Sequence, residues 1–273
     1  MRQPQQSGHV SEIGVSALKG GRHQPRQQIH LTDSGPEGDR EFAVIDLDRG
    51  QVLRTVVHPS LLRCEAHVAD DVLTLTVDGQ RVAAIPHPAP GIVQVDYWGR
   101  DAAMQVVAGP WTPLLTRLFP GNIALARTSA PGAVVYGAAV TLTTTSALRR
   151  LEDAAGGPVD PRRFRSTFTV DTGAADADVD DSWTGREFSL GAARVRVTGG
   201  VPRCAVIDSD PDTGERGTQL LKTLAGYRLA GAEIMFGVYA EVVTPGLVTV
   251  GDSLQPSATL MTPSPPLNPR ETT

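Results

Sequence analysis

The spread of turn-forming residues is the feature that most constrains how this chain can fold. Its 273 residues include 28 glycines and 21 prolines, and these interrupt the apolar runs before the runs reach the length of a long helix. The segments between them are short and often alternate apolar with polar positions, which is typical of strands. We therefore predict a mainly β protein with a few short helices.

Hairpins are the clearest local predictions. Residues 71–77 and 80–85 flank Asp78-Gly79, a dipeptide typical of two-residue hairpin turns. Residues 40–47 and 51–57 flank an Asp-Arg-Gly turn in the same way. A last hairpin is predicted around Thr244-Pro245-Gly246. The segments predicted as further strands, or as the arms of that last hairpin, are 92–97, 123–127, 132–141, 191–197, 204–208, 236–243 and 247–250.

Helix signals are few. Residues 145–155 carry Leu148 and Leu151 on one face and end at a Gly-Gly pair, which is typical of a helix end. Shorter helices are predicted at 110–119, where a proline occupies the first turn, and at 220–224. Helices and strands do not alternate, so a parallel dinucleotide-binding sheet is not indicated.

Charge and cysteine content exclude several classes of protein. The net charge is -5 and there is no run of Lys and Arg, so the electrostatic footprint of a nucleic-acid-binding protein is missing. Cys64 and Cys204 are the only cysteines, and they form no CxxC pair for a structural zinc site. They could form one disulfide, although two isolated cysteines favour a reducing cytoplasm. The N-terminus has no apolar signal region, and no stretch is long enough to span a membrane.

Cys204 is the most informative residue for chemistry. It follows Pro202-Arg203 at the start of a predicted strand. A neighbouring guanidinium favours the thiolate, which is the form that binds soft metals. A buried, inert cysteine is the alternative, and the residue alone does not decide between the two.

Several segments around Cys204 share their order with one family. Pro-Arg-Cys is followed by DPDTGE at 210–215 and then by Leu-x-x-Tyr-Arg. Other matching segments are RFRSTFTVD at 163–171, DDSWTGREFSLG at 180–191 and FGVYAEVVTPGLVTVGD at 236–252. Together they resemble the MOSC domain, which is named for the C-terminal part of molybdenum cofactor sulfurase. Residues 11–19 and 31–53 resemble the smaller β module that precedes this domain in the amidoxime-reducing component and its bacterial relatives.

The resemblance implies a fold and a division of the chain. The expected fold is a β-barrel MOSC domain at 91–255 with a smaller N-terminal β module at 9–90. Residues 1–8 are Gln-rich, and 256–273 are rich in Pro, Ser and Thr. Because neither composition can bury a core, both are expected to be flexible tails.

The resemblance also implies a cofactor and a set of site residues. Cys204 would be the ligand of molybdenum in the molybdenum cofactor and thereby the catalytic residue. Other positions are expected to contact the pterin or its phosphate, since they match the family's cofactor-contacting positions: Lys19, Arg40, Thr55, Arg165, Thr167, Arg203 and Tyr239. The family is also associated with pyridoxal phosphate binding.

Four segments depart from the family pattern. Gly20 replaces a serine, Phe42 a tryptophan, Val57 an arginine, and Ser166-Thr167 replace Pro-Asn. Each change removes a polar group near the expected cofactor. One lost hydrogen bond to a charged ligand is worth about 1.5–3 kcal/mol.

Three functions follow as hypotheses. The first is a molybdenum oxidoreductase that reduces N-oxygenated substrates. It would need a separate electron-transfer protein, because two cysteines cannot hold a four-cysteine iron–sulfur cluster. The second is a carrier of the cofactor or of its sulfur. The third is a cofactor-independent enzyme of specialised metabolism on the same scaffold, which the four departures motivate. In each case we expect a small-molecule substrate or ligand, no nucleic acid and no membrane.

Overall fold

The structure, a computed structural model, describes residues 7–257 and is built mainly from strands. The three α-helices in this range are α1 (Thr112–Leu118), α2 (Thr145–Ala155) and α3 (Leu220–Ala225). The strands are β1 (Gly8–Val15), β2 (Gln24–Arg26), β3 (Gln28–Thr32), β4 (Gly35–Pro36), β5 (Phe42–Asp46), β6 (Gln51–Val52), β7 (Cys64–Ala69), β8 (Val72–Val77), β9 (Gln80–Ala84), β10 (His87–Pro88), β11 (Val93–Tyr97), β12 (Arg100–Ala108), β13 (Ile123–Thr128), β14 (Val140–Thr144), β15 (Phe168–Asp171), β16 (Glu187–Leu190), β17 (Ala193–Pro202), β18 (Leu229–Ala230), β19 (Glu233–Thr244), β20 (Gly246–Thr249) and β21 (Ser253–Pro256). The prediction of a mainly β protein is confirmed.

The larger of two closed barrels joins the N-terminal strand to the C-terminal half. Its strand order is β14-β15-β1-β21-β16-β17-β19, and β19 pairs with β14 to close the ring. Alternating apolar residues of these strands fill the interior, including Phe168, Phe188, Val195 and Val238. Because closure leaves few free edges, the barrel does not depend on a partner sheet for its hydrogen bonds.

Five strands between Phe42 and Thr128 form the smaller barrel. Its order is β12-β11-β6-β5-β13, closed by pairing of β12 with β13. The separate antiparallel sheet β7-β8-β9 packs beside it and shares a core that contains Phe42, Trp111 and Leu75. Pairing of Val77 with Gln80 confirms the predicted Asp78-Gly79 hairpin.

Helix α2 occupies the predicted residues. The Thr144 side chain accepts a hydrogen bond from the Ala147 amide at its start, and Gly156 ends it with a φ of 77°. This left-handed end is a common role of glycine. α1 and α3 also lie where the sequence placed short helices.

Two predicted strand assignments and one predicted strand pairing were wrong. Residues 132–139 form turns because Gly132 and Gly137 adopt positive φ. Residues Ala205–Asp208 form a 3-10 turn, since β17 ends at Pro202, which has no N–H for a further ladder bond. β20 does not form a hairpin with β19 but pairs with β3, because β14 and β17 already occupy both edges of β19.

Strands extend into both of the predicted tails. Gly8 and Pro256, assigned to the tails from the sequence, lie in β1 and β21. The remaining tail residues, apart from 7 and 257, lie outside the described residues. Strands at 93–128 complete the smaller barrel, so strand pairing continues across the predicted boundary at 90/91. In residues 7–257, none of the helices has the length and apolar character required to cross a membrane.

Candidate functional site

A cavity of about 410 Å³ lies where the two barrels meet. Basic and aromatic side chains dominate its wall, and both barrels contribute them. The principal lining residues are Lys19, Arg40, Arg54, Thr55, Tyr97, Trp98, Tyr136, Arg163, Phe164, Arg165, Arg203, Cys204, Glu233 and Tyr239. The structure therefore brings together Cys204 and every other predicted site residue except Thr167.

Cys204 follows the end of β17 and precedes the 3-10 turn of Ala205–Asp208. Its side chain is exposed and forms no disulfide, whereas Cys64 is buried in the core. Burial raises the pKa of the Cys64 thiol to about 12. Of the two thiols, Cys204 is thus the one that a ligand in the cavity can reach.

Arg203 is anchored by backbone carbonyls. Its Nε donates to the Phe236 oxygen at 2.7 Å and its Nη1 to the Phe164 oxygen at 2.8 Å. Nη2 is buried and has no hydrogen-bond partner within the described part of the chain. Burial lowers the pKa of Arg203 to about 10. The guanidinium thus keeps one free donor, and its other donors are used to hold it in place.

Lys19, Arg40 and Arg165 form a basic cluster in the cavity lining. Burial, followed by the charges of Arg40 and Arg165, holds the pKa of Lys19 well below its usual range. Burial and Arg40 likewise lower the pKa of Arg165 to about 10. Asp39 is buried and pairs with Arg40. One carboxylate does not neutralise three cations, so the cluster is suited to receive an anion.

The backbone at two of these cations is strained. Arg40 and Arg165 have φ values of 52° and 53°, in the left-handed region that side chains other than glycine rarely adopt. Such a conformation costs about 1–3 kcal/mol and is often found at functional sites. Each cation is also tethered: Asp39 accepts from the Ser16 amide at 2.9 Å, and Arg165 Nη1 donates to the Gly21 oxygen at 2.6 Å.

The structure shows the surroundings of two residues that depart from the family pattern, Gly20 and Phe42. Gly20 has a φ of 79°, and a Cβ there would lie 2.7 Å from the Thr55 Oγ1 atom. A serine in this backbone would collide with Thr55, so Gly20 and Thr55 are mutually adapted. Phe42 is buried in the core rather than in the cavity wall.

Thr167 is the predicted site residue that does not reach the cavity. It is buried, and its Oγ1 accepts from the Thr141 amide at 3.2 Å. Its own amide donates to the Thr141 Oγ1 at 3.0 Å. Thr141 lines the cavity, so Thr167 lies one layer behind the wall.

Tyr239 lies on β19 opposite Thr141 and Gly199. Burial raises the pKa of its phenol. Gly137 lies against this ring, because a Cβ there would be 2.3 Å from the Tyr239 Cζ atom. The loop at 132–139 thereby closes one side of the cavity over Tyr239.

The DPDTGE motif supports the site but does not line it. Both carboxylate oxygens of Asp212 accept from Arg162, each at 2.9 Å, and the Asp212 backbone oxygen accepts from Arg22 at 2.8 Å. Gly214 has a φ of 78°, and a Cβ there would lie 2.3 Å from the Pro59 oxygen. The loop after Cys204 is thereby fixed against the first half of the chain.

Sequence reasoning missed the aromatic side of the cavity and its second pair of arginines. Trp98, Tyr136, Arg54 and Arg163 all line it. One signal was present in the sequence: Trp98-Gly99 lies between two strand-like runs, and a large aromatic residue is unusual at a hairpin turn.

Comparison with known proteins gives the family. Residues 124–255 match the family model described as MOSC domain. The chain contains a MOSC domain. β1, which completes the larger barrel, lies outside the matched residues. The MOSC domain thus includes Arg165, Arg203, Cys204 and Tyr239, whereas the other side of the cavity is formed by residues that precede the match.

Curated relatives carry one name. The chain is 36% identical over 92 residues to molybdenum cofactor sulfurase from Solanum lycopersicum, which covers 33% of the chain and 11% of that protein. It is 26% identical over 231 residues to molybdenum cofactor sulfurase from Drosophila ananassae, which covers 77% of the chain and 28% of that protein. The chain therefore spans less than a third of the length of these relatives.

The solved structures that match this chain include two bacterial proteins. The YuaD protein from Bacillus subtilis matches with a TM-score of 0.44 and 10% identity, over 91% of this chain and 94% of that one. YiiM from Geobacillus stearothermophilus matches with a TM-score of 0.32 and 18% identity, over 44% of this chain and 54% of that one.

Proposed function

We propose that this protein binds the molybdenum cofactor in the cavity between the barrels and acts as an oxidoreductase on N-oxygenated substrates. One observation carries the proposal. The exposed thiol of Cys204 and the basic cluster line the same cavity. A soft thiolate is a suitable ligand for molybdenum, and the cations are suitable partners for the phosphate of the pterin.

The residues present fit this cofactor. Cys204 would hold the metal, and Lys19, Arg40 and Arg165 would hold the phosphate. The unpartnered Nη2 of Arg203 is a buried donor beside Cys204 in the chain, and a pterin acceptor would satisfy it. The MOSC domain match and the name of the relatives support a function related to this cofactor. When bound, the cofactor supplies two-electron redox chemistry.

In this proposal, residues of the chain bind and orient the cofactor and the substrate. The basic cluster faces the cavity with three cations and one paired carboxylate, so it favours negatively charged groups. Electrons would come from a separate protein, because Cys64 is buried and apart from the cavity lining.

The test uses protein produced together with the enzymes of cofactor biosynthesis. We expect about one molybdenum per chain and reduction of an organic hydroxylamine when reduced methyl viologen supplies electrons. The Cys204→Ala variant should lose the activity, whereas Cys64→Ala should keep it. Full activity in Cys204→Ala would instead support the cofactor-independent enzyme on this scaffold.

Sulfur or cofactor transfer is a second candidate. It is favoured by the exposure of Cys204 and by the sulfurase name of the relatives. Intact-protein mass spectrometry distinguishes it: a persulfide would add the mass of one sulfur atom to the wild type and none to Cys204→Ala. Bound molybdenum with turnover and no adduct would favour the oxidoreductase.

A further inference from the structure

The outer part of the cavity holds two half-exposed aromatic side chains in contact. The centroids of Trp98 and Tyr136 are 5.3 Å apart and their planes differ by 51°. Their exposed fractions are 46% and 49%. The two rings, called here the aromatic wall, both line the cavity and keep about half of their surface exposed.

The backbone holds Trp98 at a strained position. Tyr97 pairs with Arg100, so Trp98-Gly99 forms a two-residue hairpin turn with φ values of 57° and 76°. Such turns favour asparagine or glycine at the first position, because positive φ is unfavourable for a bulky residue. The Gly99 amide donates to the Asp96 carboxylate at 2.8 Å. The turn thus keeps a half-exposed ring at a position where the backbone disfavours a large residue, which points to use of the ring.

Tyr136 is brought to Trp98 by the same hairpin. Arg100 Nη2 donates to the Val135 backbone oxygen at 2.8 Å. This bond fixes the loop at 132–139 one residue before Tyr136. The aromatic wall is therefore a built feature and not a chance meeting of two surface side chains.

The charges beside the aromatic wall favour a ligand with a negative charge. The guanidinium carbon of Arg54 lies 4.4 Å from the centre of the Trp98 ring. Within residues 7–257 no ion pair is seen for Arg54, although other arginines pair with carboxylates. Glu233 is the single acidic side chain among the described lining residues, against six basic ones. A cationic ligand would meet a positive surface, whereas a carboxylate would meet an arginine with free donors.

We propose that the aromatic wall and Arg54 form the substrate-binding part of the cavity and select a flat aromatic ring that carries an anionic group. The inference rests on the proposed function for the reaction, but the binding itself needs no metal. The ligand ring would pack against the exposed surfaces of Trp98 and Tyr136, and the anion would pair with Arg54. Cys204 and the basic cluster are left for the cofactor.

Intrinsic fluorescence provides a direct assay, because Trp111 and Trp183 are fully buried and Trp98 is the exposed tryptophan. Metal-free protein, with inorganic phosphate present to occupy the basic cluster, is titrated with benzoate, its saturated analogue cyclohexanecarboxylate, and benzylammonium. An aromatic contact adds affinity beyond the area that it buries, so we expect benzoate to bind about two- to tenfold more tightly than the saturated anion. Benzylammonium should bind more weakly than benzoate. Equal affinity for benzoate and cyclohexanecarboxylate would overturn the proposal.

Variants separate the contribution of the aromatic ring from that of the arginine. Tyr136→Ala should weaken benzoate binding several-fold, and Arg54→Gln should reduce the preference for benzoate over benzylammonium. Ile92→Ala, which changes an exposed apolar residue outside the cavity, serves as the matched control and should bind benzoate like the wild type. Unchanged affinity in both Tyr136→Ala and Arg54→Gln would contradict the assignment.

Trp98→Asn tests the role in the loaded protein. Asparagine suits this turn, so the variant should fold at least as well as the wild type. We expect its KM for an aromatic N-oxygenated acid to rise about tenfold with unchanged molybdenum content. A fall in molybdenum content would place the pterin on Trp98 and overturn the proposal. Wild-type protein that binds benzoate but takes up no molybdenum would refute the proposed function while leaving the aromatic site standing.

Discussion

Replacing Lys19 by Met tests the basic cluster through two effects of opposite sign. Lys19 is half-buried beside Arg40 and Arg165, and no ion pair forms on it within residues 7–257. Its ammonium thus destabilises the empty protein and favours a bound anion. Losing one charge-assisted contact should weaken anion binding by about 1.5–3 kcal/mol, or roughly 10- to 150-fold. The empty variant should nevertheless be more stable than the wild type.

Urea unfolding with and without inorganic phosphate measures both effects. A ligand that binds the native state raises the free energy of unfolding as its concentration exceeds its Kd. Phosphate should therefore protect the wild type more than Lys19→Met. Lys222→Met is the matched control, because Lys222 is the other lysine of the chain and is exposed on α3. Equal protection of wild type and Lys19→Met would refute the assignment of the basic cluster to an anion.

The pH dependence of the same variant has a defined sign. Burial and Arg40 lower the pKa of Lys19 in the folded state, so the unfolded state binds more protons between that pKa and the ordinary value of 10.5. The wild-type free energy of unfolding should then rise with pH through this window, relative to Lys19→Met. A flat difference between the two proteins would mean that Lys19 is not desolvated.

Three further predictions concern buried or strained residues, each measured by urea unfolding. Asp39→Asn leaves Arg40 without its buried carboxylate and should lower the free energy of unfolding by about 3–5 kcal/mol; an unchanged value would show that the pair is not coupled. Gly214→Ala should be destabilising by at least about 1 kcal/mol, because its φ is positive and its Cβ would meet the Pro59 oxygen; wild-type stability would show that the loop shifts freely. Burial raises the pKa of Asp180 to about 6, so the wild type should lose stability relative to Asp180→Asn as pH rises from about 4 through 6, and a parallel pH profile would contradict this burial.

Local signals in the sequence were sufficient for much of the fold. The Asp78-Gly79 hairpin and helix α2 follow from turn preference and capping, which act over a few residues. Pairings between strands that are distant in the sequence could not be predicted. β20 pairs with β3 because both edges of β19 are already taken, and no local pattern reports that condition.

The site residues likewise divide into those that short motifs predicted and those that depend on distant segments. Cys204 and the basic cluster were found through a family resemblance carried by short motifs, and the structure places them around one cavity. Thr167 was misplaced because its neighbour Thr141, distant in sequence, stands between it and the cavity. The aromatic wall was missed because Trp98 and Tyr136 meet only through the Arg100 bond to the loop at 132–139.

Ligation of molybdenum by Cys204 is the central claim, and X-ray absorption at the molybdenum edge tests it most directly. The loaded wild type and Cys204→Ser would be compared at equal metal content. We expect the wild-type spectrum to contain one more sulfur ligand than the variant, because the thiolate of Cys204 adds to the sulfur atoms of the cofactor. The same sulfur count in both proteins, or no molybdenum in the wild type, would contradict the claim.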